Sequence, residues 1–281
     1  MIALSANEIS LSYGVNTIIQ DISFSINEGD RLGIVGVNGA GKSTLLKIIT
    51  GELAQSGGNI YISKDKSLMM LGQNVSFESN MTVSETMLEC YQDLILEEQR
   101  LEALHERLFG GDLDLVDEYT TALEKFTQNG GYEYKGRSKG ILKALGFTSD
   151  MFDLCVNSLS GGQKTRLALG KILFLMPDIM ILDEPTNGLD ITSKAALRSI
   201  LAQYADENKT ILISTHQAHD IENLVDRVVI LHQGDVLLNQ SVSELQQLFG
   251  FGIIAGHEAI YSQQSVAGTV GIWAADNTEE G

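Results

Sequence analysis

Three short apolar runs punctuate the chain: LGIV at 32–35, DIMILD at 178–183 and TILIST at 210–215. Runs of about four to eight mostly apolar residues bounded by polar or glycine positions predict strands buried on both faces, as in a parallel sheet. Each run ends at a glycine or a polar residue, and open α/β sheets collect their ligands at the carboxyl ends of such strands. The three endings are therefore expected to converge. A different period governs DISFSIN at 21–27, where Ile22, Phe24 and Ile26 alternate with polar residues and predict a half-buried strand. RVVILHQGDVLLN at 227–239 reads as a hairpin, and Ser241-Val-Ser-Glu244 as a capping box opening a helix.

Helical periodicity fills the space between the first buried run and the second. From 84 to 108, Met87, Leu94, Leu101 and Leu108 recur every seven residues, with Tyr91 and Leu104 beside them. FGGD at 109–112 breaks the pattern. A second helix is expected from about 114 to 128, with Leu115, Tyr119, Leu123 and Phe126 on one face, so the two form an αα-hairpin. It reads equally as a packed subdomain or as a projecting arm. The last thirty residues, rich in Gly, Ala and Ser, read as a loosely ordered tail.

Composition narrows the function classes. A formal net charge of −18 over 281 residues disfavours nucleic-acid phosphates, since no local basic patch offsets it. The two cysteines, Cys90 and Cys155, sit in no metal-binding pattern and read as thiols in a reducing compartment. The opening MIALSANEIS lacks a basic region and a long apolar run, which is unlike a signal peptide. ILFLMPDIMIL is far shorter than the roughly 20 residues a membrane helix needs. The expected location is the cytoplasm, with any role at the inner face of the membrane reached through a partner.

The chemistry begins with GVNGAGKST at 36–44, which lies between a predicted strand and a predicted helix. Gly36, Gly39 and Gly41, with Asn38 and Ala40 between them, let the backbone turn its N–H groups inward around phosphate oxygens. Lys42 can reach the β- and γ-phosphates, Ser43 offers a hydroxyl to Mg²⁺, and the helix starting there contributes its dipole, with Thr44 in its first turn. In IMILDEPT, Asp183 suits Mg²⁺ and Glu184, pointing away from it by strand alternation, can polarise an attacking water. His216 closes the third buried run. A second loop of phosphate-binding type, SLSGGQKTR at 158–166, stands more than a hundred residues downstream of the first.

Taken in order, these motifs resemble those of the ATP-binding cassette (ABC) superfamily over roughly residues 3 to 248. Tyr13 is similar to the adenine-stacking aromatic, Gly36 to Thr44 to Walker A and Gln73 to the Q-loop glutamine. Leu159 to Gln163 resembles the signature loop, Ile179 to Glu184 Walker B, Asp190 the D-loop aspartate and His216 the switch histidine. The resemblance implies a P-loop α/β fold with a mostly parallel core sheet, an antiparallel β subdomain and a helical subdomain inserted at about 75–165. The ATPase domain would span 1–250 and a tail 251–281. It also implies ATP and Mg²⁺ as ligands. Catalysis would fall to Lys42, Gln73, Glu184 and His216, with Ser43, Gln73 and Asp183 at the metal. In such proteins two cassettes face head to tail, so Ser160, Gly161, Gly162 and Gln163 would serve ATP on a second copy, giving a homodimer.

Within the superfamily the motifs point two ways. The hairpin and the stretch through LSGGQKTRLALGKIL resemble the first cassette of ABC-F proteins, soluble ATPases of translation. The rear, NGLD and STHQAHDIENLVDRVVILHQGDVLL, resembles the ATPase subunits of ABC transporters. The 281 residues hold one cassette where ABC-F chains hold two, and seven carboxylates against two arginines at 85–107 suit RNA poorly. The first expectation is a transporter subunit docked on a membrane permease, with Glu78, Met81 and Val83 in the docking groove. An ABC-F-like ATPase on the ribosome comes second, and an ATP-driven dimerising module with neither partner third.

Overall fold

A computed structural model describes residues 1–73, 75, 77, 80–205, 209–221, 224–253, 261–265 and 268–274. The chain divides into two compact units. One comprises Met1–Lys66, Ile181–Glu184 and Glu207–Gly281; the other comprises Ser67–Met180 and Pro185–Asp206.

The first unit carries three groups of paired strands. β1 (Ile2–Tyr13), β2 (Asn16–Asn27) and β4 (Gly57–Ile62) form an antiparallel sheet with β1 in the middle. Ile22, Phe24 and Ile26 are buried on one face of β2, as the alternation predicts. The main sheet contains β3 (Arg31–Val35), the end of β6 (Ile179–Asp183), β7 (Thr210–Thr215), β8 (Arg227–His232) and β9 (Asp235–Ser241), in the order β6-β7-β3-β8-β9. β3 runs parallel to β7 and β8, and β9 returns antiparallel as the second arm of the expected hairpin. Every residue of β6 and β7 is buried, which explains why those runs carry no polar alternation.

α1 (Lys42–Ile49) follows β3, and α8 (Val242–Leu248) follows β9. The Ser241 hydroxyl accepts from the Glu244 N–H while the Glu244 carboxylate accepts from the Ser241 N–H, completing the expected capping box. The region read as a loose tail instead holds three strands, β10 (Phe249–Ile253), β11 (Tyr261–Ser265) and β12 (Gly268–Ala274), with β12 central and both pairings antiparallel. Backbone ladders need no apolar period, so a Gly- and Ser-rich segment can pair without advertising it.

The second unit is mostly helical. β5 (Leu68–Leu71) begins beside the start of β6, where the Ile179 N–H donates to the Ser67 carbonyl. The helix expected at 84–108 is broken into α2 (Val83–Leu88), a short 3₁₀ turn and α3 (Gln92–Phe109). α4 (Val116–Gln128) completes the hairpin. α5 (Tyr134–Ala144), α6 (Gly161–Leu175) and α7 (Ile191–Ala205) follow. Met87, Leu142, Leu145, Leu167 and Phe174 are buried among these helices. Gly170 keeps their contact close: a Cβ there would meet Leu145 Cδ1 at 3.0 Å and the Met87 sulfur at 3.2 Å. Val83 is fully buried, so it cannot line a docking groove as expected; Glu78 lies outside the described residues, and Met81 is half-buried.

α3 is tied to α5 through Glu98, which accepts from Tyr134 Oη at 2.8 Å and Lys135 Nζ at 2.7 Å. Burial pushes the Glu98 carboxyl up, but the bonds from Lys135 and Tyr134 outweigh it and hold the group below its usual 4.5. A depressed folded-state value means the stabilisation is complete above the ordinary carboxylate range and is lost as pH falls through the depressed value. Glu98→Gln should therefore flatten the acid limb of the stability–pH curve and leave its shape above pH ~6 unchanged, read by urea unfolding at a series of pH values.

Candidate functional site

The register of the parallel strands assembles one site in the first unit. Val35 pairs with Thr215, so β3 and β7 end at the same level, and the Gly36 N–H donates to the Thr215 carbonyl at 3.2 Å. The glycine loop and His216 leave the sheet side by side. The loop turns through Gly39 at φ 84° and Gly41 at φ 99°, conformations that strain any residue with a Cβ. Gly36 is needed for a different reason: a Cβ there would lie 2.5 Å from the Leu231 carbonyl oxygen. Ala40 is buried, Asn38 and Gly39 are exposed, and Ser43 and Thr44 are half-buried in the first turn of α1. The leading N–H groups of a helix have no acceptor within it, so this end is suited to an anion.

Lys42 is only 5% exposed. Its ammonium donates to the carbonyls of Gly36 at 2.8 Å and Val37 at 3.2 Å, and lies 3.2 Å from Glu184 Oε1. The other Glu184 oxygen accepts from His216 Nδ1 at 2.6 Å. Gln217 Nε2 stands 3.0 Å from His216 Nε2. This geometry suits the neutral imidazole with its proton on Nδ1, donating to Glu184 and accepting from the Gln217 amide. Glu184 is 6% exposed, so a carboxylate taken from water is satisfied by one cation and by the backbone and ring N–H groups of His216.

Asp183 and Glu184 diverge, though the cause is not strand alternation. β6 ends at Asp183, and Glu184 has a left-handed backbone with φ 51°, uncommon for a residue with a side chain. Ser214 holds this turn from inside β7. The Glu184 N–H donates to the Ser214 carbonyl at 3.1 Å, and Ser214 Oγ donates to Asp183 Oδ1 at 2.5 Å. Sequence reading passed over Ser214, yet a serine inside an otherwise apolar, fully buried strand was the available signal.

The oxygen donors present fit a nucleotide and a hard divalent cation. The Ser43 hydroxyl and the Asp183 carboxylate are of the type Mg²⁺ takes, and Mg²⁺ commonly uses few protein ligands beside phosphate and water. Among the described residues no cluster of three or more His, Cys, Asp or Glu side chains could hold a metal unaided. Tyr13, at the end of β1, is 58% exposed, with its ring open to solvent.

The remaining expected site residues belong to the second unit and are described within it. Gln73 is exposed just after β5. Ser160 caps α6 in a second capping box, accepting from the Gln163 N–H at 3.3 Å while Gln163 Oε1 accepts from the Ser160 N–H at 2.8 Å. Among the described residues the Ser160 hydroxyl donates to no acceptor. A Cβ on Gly161 would meet nothing within 4 Å, whereas one on Gly162 would sit 3.2 Å from the Gly188 carbonyl. Asp190 accepts from the N–H and the hydroxyl of Ser193, both at 2.8 Å, and these bonds hold its carboxyl below the usual range.

Comparison with known proteins places the chain in a family. The family model described as "ABC transporter" matches residues 19–187. The chain is 39% identical over 232 residues to the putative ATP-binding protein YdiF of Bacillus subtilis, covering 81% of this chain and 36% of that protein. It is 30% identical to ABC transporter F family member 5 of Arabidopsis thaliana over 80% of this chain and 33% of that protein. It is 31% identical to the ABC transporter ATP-binding protein NatA of Bacillus subtilis over 82% of this chain and 84% of that protein. Thus the chain spans about a third of the first two relatives and most of the third. A solved ATP-binding subunit of an ABC transporter superposes with TM-score 0.66 at 21% identity, covering 87% of this chain and 92% of that one, a likeness of fold. The family's cassettes are ATPases, and with the family model matching more than half of its length the chain belongs to the ABC transporter family.

Proposed function

We propose that this cassette hydrolyses ATP as one half of a head-to-tail pair and that its work drives a membrane permease. The observation that carries the chemistry is the buried Lys42–Glu184–His216 chain at the foot of the glycine loop. The loop N–H groups and Lys42 bind the triphosphate. Phosphate oxygens then compete with Glu184 for the Lys42 ammonium, which leaves Glu184 free to accept a proton from water. His216 keeps that carboxylate oriented through its 2.6 Å contact, and its ring can turn toward the terminal phosphate. Ser43 and Asp183 would hold Mg²⁺, and the ion would supply charge neutralisation at the phosphates. Ser214 positions both acids.

The pairing rests on a second anion-binding helix end. Ser160, Gly161 and Gly162 present a hydroxyl and helix-terminal N–H groups, and Gln163 is already used in the cap. An ATP molecule shared between this end and the loop of another copy gives a closed two-fold pair, with Asp190 at the approach. The choice of permease rests on the near end-to-end match to NatA. The likeness to a member of the F family favours a second reading, a ribosome-directed ATPase.

Glu184→Gln keeps a hydrogen-bonding group and removes the base. ATP binding should persist while turnover falls by about 10²-fold or more, measured by single-turnover phosphate release. Near wild-type turnover would remove Glu184 from the base role. The same variant, tagged and held with ATP, should retain its partner on a pull-down from its own cells. A polytopic membrane protein at stoichiometric level supports the permease; ribosomal subunits select the second reading. Ser214→Ala should raise the Mg²⁺ concentration needed for half-maximal turnover by roughly tenfold, because Asp183 loses its orienting bond.

A further inference from the structure

The helical hairpin carries a surface that ATP chemistry does not use. Between 92 and 128 there are ten Asp and Glu against three Arg and Lys. The arginines are consumed internally: Arg100 pairs with Glu118 at 2.7 Å, and Arg107 with Asp112 at 2.7 Å. Glu102 and Glu106, one turn apart on α3, form no ion pair among the described residues.

These two carboxylates border a groove of about 380 Å³ between α3 and α4. His105, Tyr119 and Tyr132 line it as well, over the buried Phe126. The rings are grouped, with Phe126 and Tyr132 edge to face at 5.4 Å and His105 and Tyr119 at 6.2 Å. Aromatic faces beside unpaired carboxylates are the surroundings that hold an ammonium or guanidinium group. At the turn just beyond, three large apolar side chains face solvent: Phe109 is 91% exposed, Leu113 74% and Val116 47%. Single exposed apolar residues are ordinary, but three at one turn make a patch.

We infer that the hairpin docks a basic, amphipathic segment of another protein, with a Lys or Arg side chain in the Glu102–Glu106 groove and apolar side chains on Phe109, Leu113 and Val116. Charge complementarity selects this occupant. RNA and anionic lipid surfaces would bring phosphate against unpaired carboxylates. The surface lies outside the nucleotide site, so the inference stands whichever partner the ATPase drives.

Fluorescence anisotropy tests this with the full chain and a labelled helical peptide of alternating lysine- and leucine-rich turns. The expected result is saturable binding that weakens about tenfold in Glu102→Gln/Glu106→Gln and in Phe109→Ser/Leu113→Ser. Basal ATP turnover should be unchanged in both, which also shows that they fold. A control, Glu52→Gln/Asp235→Asn, removes two exposed carboxylates elsewhere and should bind as the wild type does. Equal loss in the control would reduce the effect to bulk acidity and overturn the proposal. So would absence of peptide binding, or binding of oligouridylate or phosphatidylserine vesicles that the hairpin variants abolish.

Discussion

A buried ammonium has to be neutralised, and the arrangement of this cassette follows from how Lys42 meets that demand. Removing a charge from water costs several kcal/mol or more unless partners replace the lost hydration. Lys42 finds two carbonyls of its own loop and one oxygen of Glu184. For Glu184 to arrive there, its backbone must leave β6 in a left-handed turn, and Ser214 must hold that turn from β7. For His216 to cover the second oxygen, β7 must end level with β3. One electrostatic requirement thus ties a loop, three strand ends and a strained residue together.

The same interaction suggests why the strain is tolerated. A non-glycine residue at positive φ costs of order 1 to 3 kcal/mol, and it persists where the surroundings over-determine it. Here they do, through two hydrogen bonds to the Glu184 carboxylate and one from its N–H. A phosphate group competing for Lys42 would act directly on this cluster.

The hairpin obeys a different rule. Its inner face is ordinary core, with Leu94, Leu101, Leu104, Ala122 and Phe126 buried. Its outer face keeps an excess of carboxylates beside exposed aromatic and aliphatic side chains. Solubility alone would be served by mixed charges, and packing alone would hide the rings. The combination is the composition of a recognition surface, as the acidic groove and the apolar turn sit on one element.

Much of this was legible in the sequence. Uninterrupted apolar runs identified the buried strands because side chains meet protein on both faces there, and TILIST at 210–215 matches β7 residue for residue. The glycine loop, the capping box at Ser241 and the hairpin are local in origin, since each depends on neighbours within a few positions. The break at 89–91, invisible to a seven-residue repeat, arises between α2, which packs on α5 and α6, and α3, which packs on α4. β10 to β12 escaped because ladder pairing is a long-range choice that Gly and Ser do not signal. At the site, the sequence by itself determined which groups were available: a lysine, two acids, a serine and a histidine near strand ends. Which acid faces Lys42, and that Ser214 holds the other, was decided by tertiary structure. Register between distant strands and one left-handed backbone angle set those distances, and neither is encoded in any short stretch of residues.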